Sequence, residues 1–193
     1  NPPLTTTVYS RDNEVMGYFS RERRFLVPLK DISPAVINAF LAAEDSNFYQ
    51  HEGVDLMGIM RAAIKNIKAG TIVQGGSTIT QQVIKSLLLT PERSYQRKLK
   101  EAILAYRLEK NLSKDEILTI YLNQIYLGSR AYGIESAART YFAKHASELN
   151  LSEAAMLAGL PKAPSMLNPY RNPKAARQRQ QYVLERMLSA GYI

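Results

Sequence analysis

Proline and capping signals fix where helices can begin in this 193-residue chain, and they recur along most of its length. Ser33-Pro34 joins an N-cap residue to a proline at the first helical position, and Asn172-Pro173 repeats the pairing. Ser113 and Glu116 spell a capping box. Behind these starts the apolar residues return on a helical period: Ile37, Phe40 and Leu41 after the first, Ile117, Leu118, Tyr121, Leu122 and Ile125 after the capping box. The same period predicts helices over 54–69, over 81–89 up to Thr90-Pro91, over 95–112, and from about Ser152 to the stops at Pro161 and Pro164. The last helix should run from Pro173 to about Ala190. Residues 70–80 read as a Gly/Ser/Thr loop, and Gly128 and Gly133 punctuate a turn region. Only the first 30 residues alternate loosely, with Val8, Val15, Met16, Tyr18 and Phe19 around Arg11-Asp12-Asn13, which predicts a short hairpin or extended arm. The expected fold is therefore mainly α, with a small β contribution at the N-terminus.

Twenty-five Lys and Arg against seventeen Asp and Glu give a formal charge of +8, which favours an anionic partner without choosing among phosphate groups, an anionic membrane surface and nucleic acid. The absence of cysteine excludes disulfides, thiolate metal sites and a cysteine nucleophile. No run approaches the ~18 apolar residues of a membrane span, and no signal peptide is visible. The chain starts at Asn1 rather than Met and ends inside an apparent helix, so we expect a piece of a longer protein, without its anchor.

Three constellations carry chemistry. Glu44 follows Phe40 and Leu41 on the apolar stripe and sits at a helix C-terminus; desolvation and the helix dipole both push a carboxyl there upward, toward a proton-transfer role. The pattern equally allows a carboxylate that ends the stripe and leans into solvent, with Asp45, Asn47 and His51 as loop residues. Gly75-Gly76-Ser77-Thr78-Ile79-Thr80-Gln81-Gln82 then opens a helix, with backbone N–H groups, hydroxyls and amides suited to phosphate or sugar, or serving merely as a capped turn. It is not a P-loop, since the GxxxxGK[ST] spacing is missing. Arg97 and Lys98 precede Glu101 by four and three residues on one helix face, and Lys85 and Arg93 lie upstream. These cations read as an anion site or as a solvated charged face.

The order of these segments is more specific than any one of them. Glu44-Asp45-x-x-Phe48-x-x-His51-x-Gly53 is followed by Gly75 to Gln82, by Arg97-Lys98-x-x-Glu101, and by Lys114-x-Glu116-Ile117-Leu118-x-x-Tyr121-Leu122-Asn123. This series resembles the signature motifs of the family 51 peptidoglycan glycosyltransferases, the first domain of class A penicillin-binding proteins. Likeness continues through Gly128, Tyr132-Gly133, Ala137-Ala138, Tyr141-Phe142 and Leu157-Ala158-Gly159-Leu160-Pro161, so it covers about residues 8–190. One departure stands near the end: the family pattern Arg-Arg-x-x-Val-Leu reads Arg179-Gln180-Gln181-Tyr182-Val183-Leu184 here, in a motif we take as a packing and surface feature.

The resemblance implies a single domain over 1–193, with a lysozyme-like helical lobe of about 1–51 and 91–193 and a smaller membrane-facing jaw of about 52–90. It implies Glu44 as the base that activates a lipid II acceptor, and release of undecaprenyl pyrophosphate from a lipid-linked donor glycan with inversion. Glu101 would position cations or hold a divalent ion, Mg2+ or Mn2+, which is not obligatory. Ser77, Gln82, Lys85, Arg93, Arg97, Lys98 and Asn123 would hold sugar or phosphate, and Asp45 would support the cleft. The implied partners are lipid II, the growing glycan, an anionic membrane surface at the external face of a bacterial cell, and the inhibitor moenomycin, with no nucleic acid. A lytic transglycosylase is the nearest rival. It needs one acid and no phosphate-binding cations, so the second glutamate and the basic cluster argue against it. A non-catalytic basic membrane-binding module would explain the charge but not the ordered glutamates.

Overall fold

The structure is a computed structural model that describes residues 6–19, 23–70, 75–88 and 94–193. It is mainly helical, as the periodicity predicts. Strands β1 (Thr6–Tyr9) and β2 (Val15–Phe19) form the expected antiparallel hairpin, turning through Asn13 at φ 67°. Helices α1 (Pro34–Glu44) and α2 (Leu56–Ala69) follow, the second capped by the Asp55 side chain on Gly58 N–H and closed by Gly70 in the left-handed region. Next come α3 (Ile79–Leu88), α4 (Tyr95–Glu109) and α5 (Lys114–Gln124), whose start carries the capping box read from Ser113 and Glu116. Helix α4 ends at Glu109, short of the expected residue 112.

Two features differ from the sequence reading. A short strand β3 (Arg23–Arg24) pairs in parallel with β4 (Ala131–Tyr132), and a further helix, α6 (Ile134–Phe142), occupies the supposed turn region. Its apolar stripe is Ile134, Ala137, Ala138 and Tyr141, but it spans only nine residues and opens at Gly133 with no side-chain cap, so it lacks the start signal that marks the other helices. It opens at Gly133, where a φ of 80° and the Asn123 carbonyl 2.7 Å from any added Cβ leave room only for glycine. The chain closes with α7 (Leu151–Gly159), capped by Asn150 and Glu153, and α8 (Pro173–Ser189).

The core lies among α1, α5, α6, α7 and α8, with Phe40, Leu118, Leu122, Ile134, Leu157 and Val183 all at 0% exposure. Helix α1 is apolar almost all round. Val36 and Phe40 are buried whereas Ile37 is only partly so, and the Val36–Phe40 row leads one turn further to Glu44.

Helix α2 is the opposite case. The pattern left it as a core helix or a surface helix, and the structure decides: Leu56, Met57, Met60, Ile64 and Ile67 are exposed, while Ala62 is the buried side chain among its described residues. Leu87 and Leu88 of α3 and Tyr95, Leu99 and Ile103 of α4 are exposed as well. So much bare apolar surface on neighbouring segments is unusual for a protein surrounded by water on all sides. Among the described residues, no helix is long and apolar enough to cross a membrane.

Candidate active site

A cleft of about 590 Å³ gathers the three constellations. Its walls come from the end of α1, the start of α2, the Gly75–Thr78 segment with α3, the first turns of α4, and one face of α8. Glu44, Asp45, Ser77, Gln82, Lys85, Arg97, Lys98 and Glu101 all line it. Arg93 lies outside the described residues. Asn123 does not reach the cleft. Its amide donates to Val27 O and Thr119 O and accepts from Val27 N–H, so its bonding capacity is spent tying the β3–α1 connection to α5. We therefore drop it as a ligand-holding residue.

The two glutamates sit in different environments. Burial pushes the Glu44 carboxyl above its ordinary value; the Gln82 amide, donating to Oε2 at 2.9 Å, and the Arg179 charge oppose this, and Asp45 adds to it. A partly buried carboxyl held above its usual range is equipped to take up a proton near neutral pH. Glu101 is only 2% exposed and neutralised: Arg97 donates to Oε2 at 2.9 Å, and Lys98 Nζ bonds Oε1. Lys98 also donates to Ser77 Oγ at 2.8 Å, which ties the glycine-rich segment to α4. Buried charges persist only with such close compensation, so Glu101 serves to anchor two cations at the cleft wall.

With both oxygens of Glu101 occupied by cations, its surroundings do not offer a divalent ion the carboxylate ligands it needs. Among the described residues no group of three or more His, Asp or Glu side chains gathers to hold a metal. The residues do not fit the Mg2+ or Mn2+ that the resemblance allows.

The loop after α1 is held by contacts that reach forward to the start of α3. Asp45 accepts Ile79 N–H at 3.0 Å, Thr78 Oγ1 donates to Gly53 O at 2.6 Å, and Thr78 and Gln81 cap one another. Gly53 has φ 87°, and a Cβ there would stand 2.7 Å from the α4 backbone at Ala105 and Tyr106, so the motif must end in glycine.

Sequence reasoning missed the wall formed by α8. Arg179, Tyr182 and Arg186 face the cleft together with Lys162. The spacing 179, 182, 186 is one helix face, and that was the available signal. The final motif is thus part of the cleft rather than a packing and surface feature. The departure within it is harmless there: Gln180 points away and donates to Ser152 O at 2.7 Å, joining α8 to α7.

A helical protein with a desolvated carboxylate on one side of a cleft and carboxylate-anchored cations on another has the make-up of an acid–base enzyme for an anionic ligand. Comparison with known proteins narrows the class. The family model described as transglycosylase matches residues 12–188, and the chain belongs to that family. It is 54% identical over 192 residues to penicillin-binding protein 1A of Aquifex aeolicus (strain VF5), covering all of this chain and 26% of that protein. It is 53% identical over 192 residues to penicillin-binding protein 1A of Neisseria flavescens, covering all of this chain and 24% of the relative. A 2.6 Å crystal structure of penicillin-binding protein 1A from Haemophilus influenzae aligns with a TM-score of 0.52 at 31% identity, over 99% of this chain and 18% of that one. The chain spans about a quarter of the length of these curated relatives.

Proposed function

We propose that the chain is a peptidoglycan glycosyltransferase that polymerises lipid II, with Glu44 as the general base. The observation that carries this reading is the placement of a carboxyl with a raised pKa in the same cleft as the Lys98–Glu101–Arg97 cluster. Glu44 takes the proton from the 4-hydroxyl of the acceptor GlcNAc as that oxygen attacks the anomeric carbon of the lipid-linked MurNAc. The bond from that carbon to the α-pyrophosphate breaks, and a β-1,4 linkage forms with inversion in a single displacement. Negative charge grows on the departing undecaprenyl pyrophosphate, where Lys98, Arg97 and Lys85 stabilise it. Ser77 and Gln82 line the same space and are suited to sugar or phosphate oxygens, while Asp45 supports the loop. A lipid II polymerisation assay with and without moenomycin tests the reading: moenomycin-sensitive glycan strands are expected, and cleavage of preformed glycan without polymerisation would favour a lytic enzyme.

The Gln82 contact gives a pH test. A base must be ionised to act, so the acidic limb of kcat/KM follows the raised Glu44 pKa. Gln82→Met deletes a hydrogen bond that favours the ionised form, and the limb should move to higher pH by about 0.5 to 1 pH unit. An unmoved limb would detach Glu44 from the pH profile.

The exposed apolar face of α2 fits the outer interface of a bacterial cell membrane, with the exposed Arg61 of the same helix near anionic headgroups. Ile64→Asp combined with Ile67→Asp should lower binding to anionic-lipid vesicles by about tenfold or more while leaving the melting temperature near wild type, because both side chains are exposed. Equal vesicle binding would remove this face from the membrane contact.

A further inference from the structure

His51 and Lys114 belong to the ordered motifs, yet the chemistry above gives neither a task. They meet in an ionic cluster around the first turn of α3. Asp45 accepts the Ile79 N–H at 3.0 Å, and both of its oxygens face His51 Nε2, at 3.0 and 3.1 Å. On the other edge of the imidazole, Nδ1 lies 3.9 Å from the Glu109 carboxylate. Glu109 in turn accepts from the Thr80 hydroxyl and pairs with Lys114 Nζ at 2.7 Å. Lys114 also donates to the His51 carbonyl at 2.6 Å and lies over the Phe48 ring. The Asp45, His51 and Glu109 side chains are 4%, 8% and 5% exposed.

Charges this dry are costly to hold, and each here is matched by a partner from a different element: the loop after α1, the last residue of α4 and the first of α5. The cluster ends in two grips on consecutive residues of α3, one on the Ile79 backbone and one on the Thr80 hydroxyl. Two residues further along the same helix, Gln82 meets Glu44. The first turn of α3 therefore cannot shift without breaking either a buried ionic contact or the hydrogen bond to Glu44.

We propose that Glu109, Lys114 and His51 are positioning residues for the glycosyl transfer: together with Asp45 they clamp the first turn of α3 so that Gln82 holds the Glu44 carboxylate in one geometry. The inference rests on the reading of Glu44 as the base. The other groups facing Glu44 are Asp45 beside it, Arg179 of α8 and the buried Tyr121 of α5, and the Thr80 hydroxyl bonds Glu109 rather than any of these three.

The test is Thr80→Val in the full-length protein, which deletes the hydroxyl at nearly constant volume, set beside Thr80→Ser, which keeps it. With lipid II as substrate, Thr80→Val should lower kcat by roughly five- to tenfold and move its acidic limb to higher pH, because a slack Gln82 contact lets burial raise the Glu44 carboxyl further. KM and moenomycin affinity should stay within about twofold, and Thr80→Ser should restore both kcat and the limb. If Thr80→Val does not fold, Lys114→Gln carries the same expectation. A kcat loss that follows the melting temperature with an unmoved limb would reduce the cluster to a fold element and overturn the proposal, as would a wild-type profile. Glu44→Gln separates the two readings. Near-normal turnover in Glu44→Gln overturns the base itself, whereas a Glu44→Gln variant slowed by about 10³-fold beside an unaltered Thr80→Val overturns only the clamp.

Discussion

Glu44→Gln is expected to lower lipid II polymerisation by about 10³-fold, within the range a positioned general base contributes. The amide keeps the shape of the side chain and can still accept the Gln82 hydrogen bond, so the cleft should hold its form. Moenomycin affinity should change little, because the cations that face an anionic ligand are elsewhere. Stability gives an independent check of the environment. The folded-state pKa of Glu44 lies above its unfolded value, so the fold binds this proton more tightly than the unfolded chain does. Its unfavourable contribution therefore appears as pH rises from the ordinary carboxylate range through the raised value, and it is present in full above that. At neutral or alkaline pH, Glu44→Gln removes the penalty and should melt no lower than wild type. Near-normal turnover in a single-round assay would sink the base assignment, and a large drop in melting temperature would contradict the desolvated environment.

Lys98→Met should have the second largest effect, a fall of about 10²-fold in kcat/KM with a parallel loss of moenomycin affinity. Lys98 is the link between the glycine-rich segment and the buried carboxylate, through Ser77 Oγ on one side and Glu101 on the other. Its side chain is 46% exposed, so its ammonium remains open to a ligand in the cleft. Removing it also strands half of the Glu101 charge at a site that is 2% exposed, which destabilises the fold. The double variant Lys98→Met with Glu101→Gln distinguishes the two consequences. It should recover melting temperature by restoring the charge balance while activity and moenomycin binding stay low. Recovery of moenomycin binding along with stability would mean that Lys98 supports the fold and does not meet the ligand.

The helices were legible in the sequence because their signals are local. Ser33-Pro34, Ser113 with Glu116 and Asn172-Pro173 mark starts that hold in the structure, since a cap depends on residues within one turn. Helix α6 was not legible. Its stripe of Ile134, Ala137, Ala138 and Tyr141 is short and has no capping side chain in front of it, and its start depends on Gly133 packing against Asn123, 10 residues away in sequence. The β3–β4 pair joins residues more than 100 positions apart and left no local trace.

The cleft divides the same way. The order of motifs was enough to single out Glu44, Gln82, Lys98 and Glu101, whereas Asn123, drawn from the same motif series, turned out to spend its amide on backbone. The spacing of Arg179, Tyr182 and Arg186 puts them on one helix face but could not say that this face meets the cleft, because α8 reaches it only after packing on α7 and α1. By itself the sequence determined that the chain is mainly helical, that it is basic, and which family its ordered motifs resemble, since each rests on neighbouring residues or on composition. Only the tertiary structure decided that the Glu44 carboxyl is partly buried and raised, that Glu101 is saturated by cations, and that α2 leaves its apolar face bare. Desolvation, ion pairing and exposure are properties of what surrounds a side chain, and those surroundings come from parts of the chain far away in sequence.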